Sequence, residues 1–391
     1  FDSKKIFYPN IFGCDGNNSI SEISAKEVFG DNGLLSDIHP NFEYRYNQEK
    51  YAETVDELLH NNQSIGVIEA GTGLGKSMSY LFAAIRRSEK SEDNGPTIIA
   101  CHTKHLQDQL FHKDLPTLVK ALDVPVKAVM LKGRKNYLCL TRMNWLISDS
   151  NTLNANEIEA LIPIVFWMYW TKTGDISECS GFFNARKDWL KSLICSDTGF
   201  CTGGICNKND GCFYGRLKKS IFHSQLVVVN HSLLLTDSVQ KGLLPEYDSV
   251  IIDEAHNLVK SAYDQFKIEW SEQQVSYQLQ SLDPSFPRSI RWNNILQSMN
   301  KINPDIGEQR ENLVKAVRAT RDCLKNLMDT LADEHERKFN PDDSYQVQPI
   351  LKNISKEYAP QKRDIALMKS NLEEVLFIFD RIKKLVLEID K

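Results

Sequence analysis

The eight residues Ala70-Gly71-Thr72-Gly73-Leu74-Gly75-Lys76-Ser77 constrain this chain more than any other stretch. Glycines alternate with other residues, then Lys-Ser opens a segment, Lys76–Arg87, with helical apolar spacing. Glycine lacks a Cβ, so such a backbone can curl until successive N–H groups point inward at phosphate oxygens. The helix that follows adds the positive end of its dipole. The short apolar run Ser64–Glu69 reads as the preceding strand. Strand, glycine loop and helix form the setting in which this signature binds a nucleotide phosphate. One position departs from the pattern: Ala70 stands where a first glycine is expected. The expected roles are a cradle from Gly71, Thr72, Gly73, Leu74 and Gly75, a β- and γ-phosphate contact from Lys76, and a Mg²⁺ ligand in Ser77.

A phosphate loop of this kind has a carboxylate partner, and Val250-Ile251-Ile252-Asp253-Glu254-Ala255-His256 supplies it. An apolar strand ending in acids puts carboxylates at the strand's C-terminal end, where α/β sheets bind ligands. Asp253 is expected to hold Mg²⁺ and Glu254 to orient and deprotonate the attacking water. His256 is expected to couple the nucleotide site to the rest of the protein. Lys76, Asp253, Glu254 and His256 are thus the candidate catalytic residues.

Between and beyond these motifs the pattern changes twice. Thr97–Cys101, Val126–Leu131, Gln225–Asn230 and Ser249–Asp253 have buried-strand composition and are separated by helical stretches, which implies a parallel sheet covered on both faces. Gly133–Arg216 breaks the alternation and holds six of the nine cysteines. After about Trp270 long polar helices dominate, Ile306–Lys338 and Asp364–Asp390 among them. The net charge of −5 gives no global attraction to nucleic acid, so any such contact has to come from local basic patches. The longest apolar run, Leu161–Trp170, is too short to span a bilayer and reads as a buried helix. No signal peptide follows Phe1, and a cytoplasmic location is expected.

The phosphate loop with its Asp-Glu-Ala-His box resembles the superfamily 2 helicases, and three further segments resemble their XPD/DinG branch. Arg45-Tyr46-Asn47-Gln48 looks like the Arg-x-x-Gln element on the adenine side, which makes Arg45 and Gln48 nucleotide contacts. His102–Leu110 looks like the motif that grips a DNA backbone, with Thr103, Lys104 and Gln107 as contacts. Val228-Val229-Asn230-His231-Ser232-Leu233 resembles the segment ahead of the acidic box and adds Asn230. The likeness to bacterial DinG-type helicases runs from about Glu27 to His256. It implies a RecA-like parallel-sheet lobe, a P-loop NTPase, carrying an iron–sulfur insert and an all-helical arch. The implied layout is an N-terminal extension at 1–40, the lobe in two parts at 41–131 and 223–268, the cysteine domain at 132–222 and the arch at 269–391.

Cys139 follows a Gly-Arg-x-x-Tyr stretch, and Cys201, Cys206 and Cys212 come in close succession. In the resembling family such a set holds a [4Fe–4S] cluster, which four thiolates suit. Cys195 with Cys201, Cys206 and Cys212 would also suit tetrahedral zinc, and spacing alone separates neither metal. Lys132, Arg134, Lys135 and Tyr137 flank the first cysteine and mix charge with an aromatic ring, as suits single-stranded nucleic acid. Trp145, Trp167, Tyr169, Trp170 and Trp189 read as core.

The resemblance implies ATP, Mg²⁺ and a [4Fe–4S] cluster as cofactors, and single-stranded and forked or branched duplex DNA as partners. It further implies 5′→3′ movement, a monomer and no membrane association. The Ser-Ala-Thr and Gln-x-x-Gly-Arg motifs of a second motor lobe are not found, so the chain reads as a truncated motor with little activity of its own. Two other classes fit part of the pattern: a non-catalytic DNA- or partner-binding module, and a phosphate-loop ATPase with a zinc insert.

Overall fold

The computed structural model describes residues 10–13, 19–38, 42–61, 64–89, 95–148, 153–184, 188–198, 200–201, 212–268, 271–283, 286, 289–338 and 362–389. The chain divides into two compact units, Phe1–Lys267 and Ile268–Lys391.

The first unit is built on a five-stranded sheet. The strands are β1 (Asn10–Phe12), β2 (Thr97–Cys101), β3 (Val126–Met130), β4 (Leu226–Asn230) and β5 (Ser249–Ile252), in the order β1-β3-β4-β2-β5. β3, β4, β2 and β5 run parallel, and β1 adds an antiparallel edge. Side chains alternate between two cores, as the period of two in a strand demands. Ile99 and Cys101 of β2 join Phe29, Phe82 and Leu115 on one face, while Ile98 and Ala100 join Leu217, Ile221 and Leu233 on the other. That double burial explains why these strands are continuously apolar.

The four parallel strands fall where the sequence places them. Ser64–Glu69 does not: residues 64–70 form no strand, and Ile65 and Val67 are 93% and 96% exposed. Apolar composition favours a strand, but a strand also needs a neighbour to take its N–H and C=O groups. Among the described residues no strand lies against this segment.

Within 132–222 the described residues are mainly helical, with a core of their own around Leu138, Met143, Ile164, Phe182, Ile194 and Phe213. Asn154 opens the helix Ala155–Trp167 through a capping box with Glu157. Trp167 and Trp189 pack against this core, but Trp145, Tyr169 and Trp170 are exposed, contrary to the core reading. The run Leu161–Trp170 is therefore not a buried helix but an amphipathic stretch, with Leu161 and Ile164 buried and Ile162 and Phe166 exposed.

The second unit is helical. Asp305–Lys338 and Lys362–Ile389 pack with shorter helices around Leu279, Ile306, Leu313, Val317, Val375 and Ile378. Asp283, 1% exposed there, is held by a two-pronged contact from Arg318 with both distances 3.1 Å. Among the described residues no helix is long and apolar enough to cross a membrane.

Candidate nucleotide site

The phosphate loop lies at the start of the helix Lys76–Glu89. Gly73 and Gly75 have φ of +79° and +89°, the left-handed region that glycine adopts freely. Gly75 is also closely approached: a Cβ there would lie 2.3 Å from Gln48 Nε2. Gln48, buried on the helix Tyr46–His60, donates to the Gly75 carbonyl at 3.3 Å, and Arg45 donates to the Gly73 carbonyl. Both residues expected beside the nucleotide thus brace the loop from outside. Gly71, Thr72 and Gly73 are exposed, and Leu74 is half-buried.

The acidic box faces this loop. Asp253 follows β5, its N–H donating to Ala100 of β2 at 2.9 Å. Lys76 Nζ stands 3.4 Å from Glu254 Oε1 and donates to the Ala70 carbonyl at 3.3 Å. Glu254 is also 3.3 Å from His256 Nδ1, so it lies between the lysine and an exposed imidazole. Glu254 itself has φ 52° and ψ 45°. A left-handed conformation in a non-glycine residue stores strain, which structures keep mainly where a side chain has to be aimed.

Two residues of this site carry no local sequence signal. Tyr80 lies one turn after Lys76, is 2% exposed, and its hydroxyl donates to Asp253 Oδ2 at 3.3 Å. Burial raises its pKa, so the phenol stays protonated. Asp114, on a π-helical turn at Leu110–Asp114, is 8% exposed, and burial raises its pKa despite Lys113 and a hydrogen bond with Ser77. Ser77, the expected Mg²⁺ ligand, therefore has a carboxylate neighbour in Asp114. Asp253 has a raised pKa: burial and the adjacent Glu254 disfavour its charge, and Lys76 and Tyr80 oppose them. A divalent cation would reverse that balance.

The cysteines separate into two groups. Cys179 and Cys195 are buried in the apolar core of the insert. Cys139, Cys201 and Cys212 are only partly buried, and the latter two lie near enough to Cys139 to act on it electrostatically. Burial opposes a thiolate at Cys201. Ser196, 3.2 Å away, and the guanidinium of Arg134 outweigh it, so the thiol titrates below its usual value. Among the described residues no group of three donors closes to metal-binding distance. Cys206 lies outside the described residues. The chemistry of this set, two thiols that act electrostatically on Cys139 and one of them held toward the thiolate, suits ligands of a cluster. Core burial of Cys195 sets it apart from that set.

The expected nucleic-acid residues fare unevenly. Gln107 is fully buried and its amide nitrogen donates to the Leu131 and Val228 carbonyls at 2.9 and 3.0 Å, which braces β3 against β4. Tyr137 is 3% exposed and its hydroxyl accepts from the Lys132 N–H at 2.9 Å, so it cannot stack on a base. Arg134 lies over the Tyr214 ring at 4.6 Å besides reaching Cys201. Thr103 caps the helix Lys104–Gln109, and Asn230 caps His231–Val239. Lys104 is exposed and donates to Asn136 at 2.9 Å; Lys135 is exposed.

Residues 41–161 match a family model described as "Type III restriction enzyme, res subunit". The chain is 36% identical over 252 residues to "ATP-dependent DNA helicase YoaA" of Escherichia coli (strain K12), a match taking in 63% of this chain and 38% of that protein. It is 33% identical over 242 residues to "3'-5' exonuclease DinG" of Bacillus subtilis (strain 168), covering 62% of this chain and 25% of that protein. The chain thus spans well under half the length of these relatives. A structure titled "Truncated XPD" overlaps 87% of this chain and 82% of its own at 14% identity, with a TM-score of 0.36. With the phosphate loop facing the acidic box, the matched part of the chain is similar to the DinG- and YoaA-type helicases.

Proposed function

We propose that this chain carries the first ATP-binding lobe of an ATP-dependent DNA helicase that moves on single-stranded DNA and unwinds duplexes. The contact of Lys76 with Glu254, beside Asp253, carries the reading. It brings together two motifs 178 residues apart that only a phosphate-handling site needs side by side. Mg²⁺ would sit between Ser77 and Asp253, with Asp114 behind the serine. ATP phosphates would draw Lys76 away from Glu254, leaving that carboxylate to accept a proton from water. Arg45 and Gln48 would keep the loop open to the incoming phosphates.

In the same reading, 41–131 and 223–268 form the lobe, 132–222 the cluster domain and 269–391 the arch, after an extension at 1–40. Cys139, Cys201, Cys206 and Cys212 would hold a [4Fe–4S] cluster, which fixes the ends of the insert relative to each other. Lys104, Lys135, Thr103 and Asn230 would face the DNA backbone, and forked or branched duplexes would be the substrates. A cytoplasmic monomer moving 5′→3′ completes the proposal.

The decisive test is Lys76→Ala in the complete polypeptide. Single-strand-stimulated ATP hydrolysis should fall by on the order of 10²–10³, as when a transition-state donor is removed. Unwinding that survives the change would sink the reading. The cluster is tested separately on anaerobically purified protein: iron and sulfide in equal amounts with visible absorbance are expected, and zinc without iron would replace it.

A further inference from the structure

His231 is the most buried histidine near the nucleotide site and touches none of the phosphate-loop side chains. It is the first residue of its helix, directly after β4, and is 0% exposed. Its Nε2 lies 2.9 Å from the Asp253 carbonyl oxygen. That acceptor fixes the tautomer, because a carbonyl can only receive, so Nε2 carries the proton. β4 and β5 are not neighbours; β2 lies between them. The imidazole therefore reaches over the end of β2 to hold the peptide that joins Asp253 to Glu254, the residue in the left-handed conformation.

The end of β2 carries the second half of the arrangement. Cys101 pairs with Asn230 in the parallel register, so the next residues, His102 and His231, emerge side by side. Their rings are 5.6 Å apart at 50°. Each is one residue from a group placed toward the DNA backbone: Thr103 follows His102, and Asn230 precedes His231. Both of those neighbours cap helices, so a phosphate that shifts either cap moves a histidine with it. The packed interior leaves little room for that movement to dissipate.

We propose that His231, backed by His102, is a positioning residue that couples single-strand binding at the β2 and β4 ends to the placement of Asp253 and Glu254. The inference rests on the nucleotide and single-strand reading above, and it names how the two sites communicate. A buried histidine that merely fills space would leave both affinities uncoupled from its hydrogen bond.

The test uses this chain with a fluorescent, non-hydrolysable ATP analogue and Mg²⁺, titrated with and without oligothymidylate. The wild-type chain should show nucleotide affinity changed about fivefold or more by the oligonucleotide, with the reciprocal change in oligonucleotide affinity. In His231→Leu that ratio should fall to within about twofold of unity, while His231→Gln, which keeps a donor, should retain most of it. A ratio unchanged in His231→Leu overturns the proposal, as does a wild-type chain that binds both ligands without coupling. A wild-type chain that binds neither ligand overturns the coupling within this lobe, and a complete polypeptide that binds neither removes the helicase reading as well. If His231→Leu does not fold, His102→Leu serves instead: the ratio should drop, and an unchanged ratio overturns the coupling.

Discussion

At the scale of the residue, Asp253 is the side chain whose environment says most. Its pKa is raised because burial and Glu254 outweigh Lys76 and Tyr80. A raised carboxyl pKa means that protonation begins earlier as pH falls. Mg²⁺-dependent nucleotide binding should therefore weaken on the acid side sooner than an exposed aspartate would impose. Tyr80→Phe removes a hydrogen bond that favours the carboxylate, so the acid-side loss should move to higher pH. Titrating Mg²⁺-nucleotide affinity against pH in both proteins checks this, and a shift in the opposite direction would contradict the contact. Tyr80 shows the limit of local reasoning. Lys76 and Ser77 announce themselves by following glycines, whereas Tyr80 looks like any aromatic on a buried helix face. Only the partner across the site, 173 residues away, gives its hydroxyl a purpose.

At the scale of the element, the insert is tied to the sheet by Lys132. Its ammonium lies 2.7 Å from both Asp108, on the helix Lys104–Gln109, and Asp175, and it is 4% exposed. Burial opposes its charge, but the two carboxylates more than compensate and raise its pKa. A raised lysine pKa contributes stability that is present below the unfolded value and is lost as pH rises above the folded one, so neutral pH keeps it whole. Lys132→Met would leave Asp175, 2% exposed, without its cation. Denaturant unfolding should then show a loss of about 3–5 kcal/mol. Lys132→Met with Asp175→Leu should recover part of it, since an apolar pair of similar volume replaces a buried ion pair at small cost. No loss in the single variant would show that the carboxylates rearrange freely. In the sequence, Lys132 is one of several basic residues before Cys139 and looks like a candidate for phosphate. Charge alone does not say which way a lysine points, and the structure turns this one inward and Lys135 outward.

At the scale of the whole molecule, the division at Lys267 and Ile268 leaves each unit with its own core. Residues 268–391 expressed alone should give a helical circular dichroism spectrum and a single cooperative thermal transition. A featureless, non-cooperative melt would show that the helices depend on the first unit. The sequence by itself determined whatever is encoded within a few positions. The glycine loop, the parallel strands that alternate between two cores and the long helices of the second unit are of this kind, because backbone preference and apolar period act locally. Tertiary structure alone decided what depends on which strands become neighbours. Ser64–Glu69 has the composition of a strand but no strand beside it. Gln107 has the position of a nucleic-acid contact but spends its amide on two carbonyls. His231 meets Asp253 only because β2 ends at Cys101, level with Asn230, so the imidazole can pass beyond it. The phosphate loop was legible because it carries its own geometry, and the side chains beneath it were not, because their partners are brought by the fold.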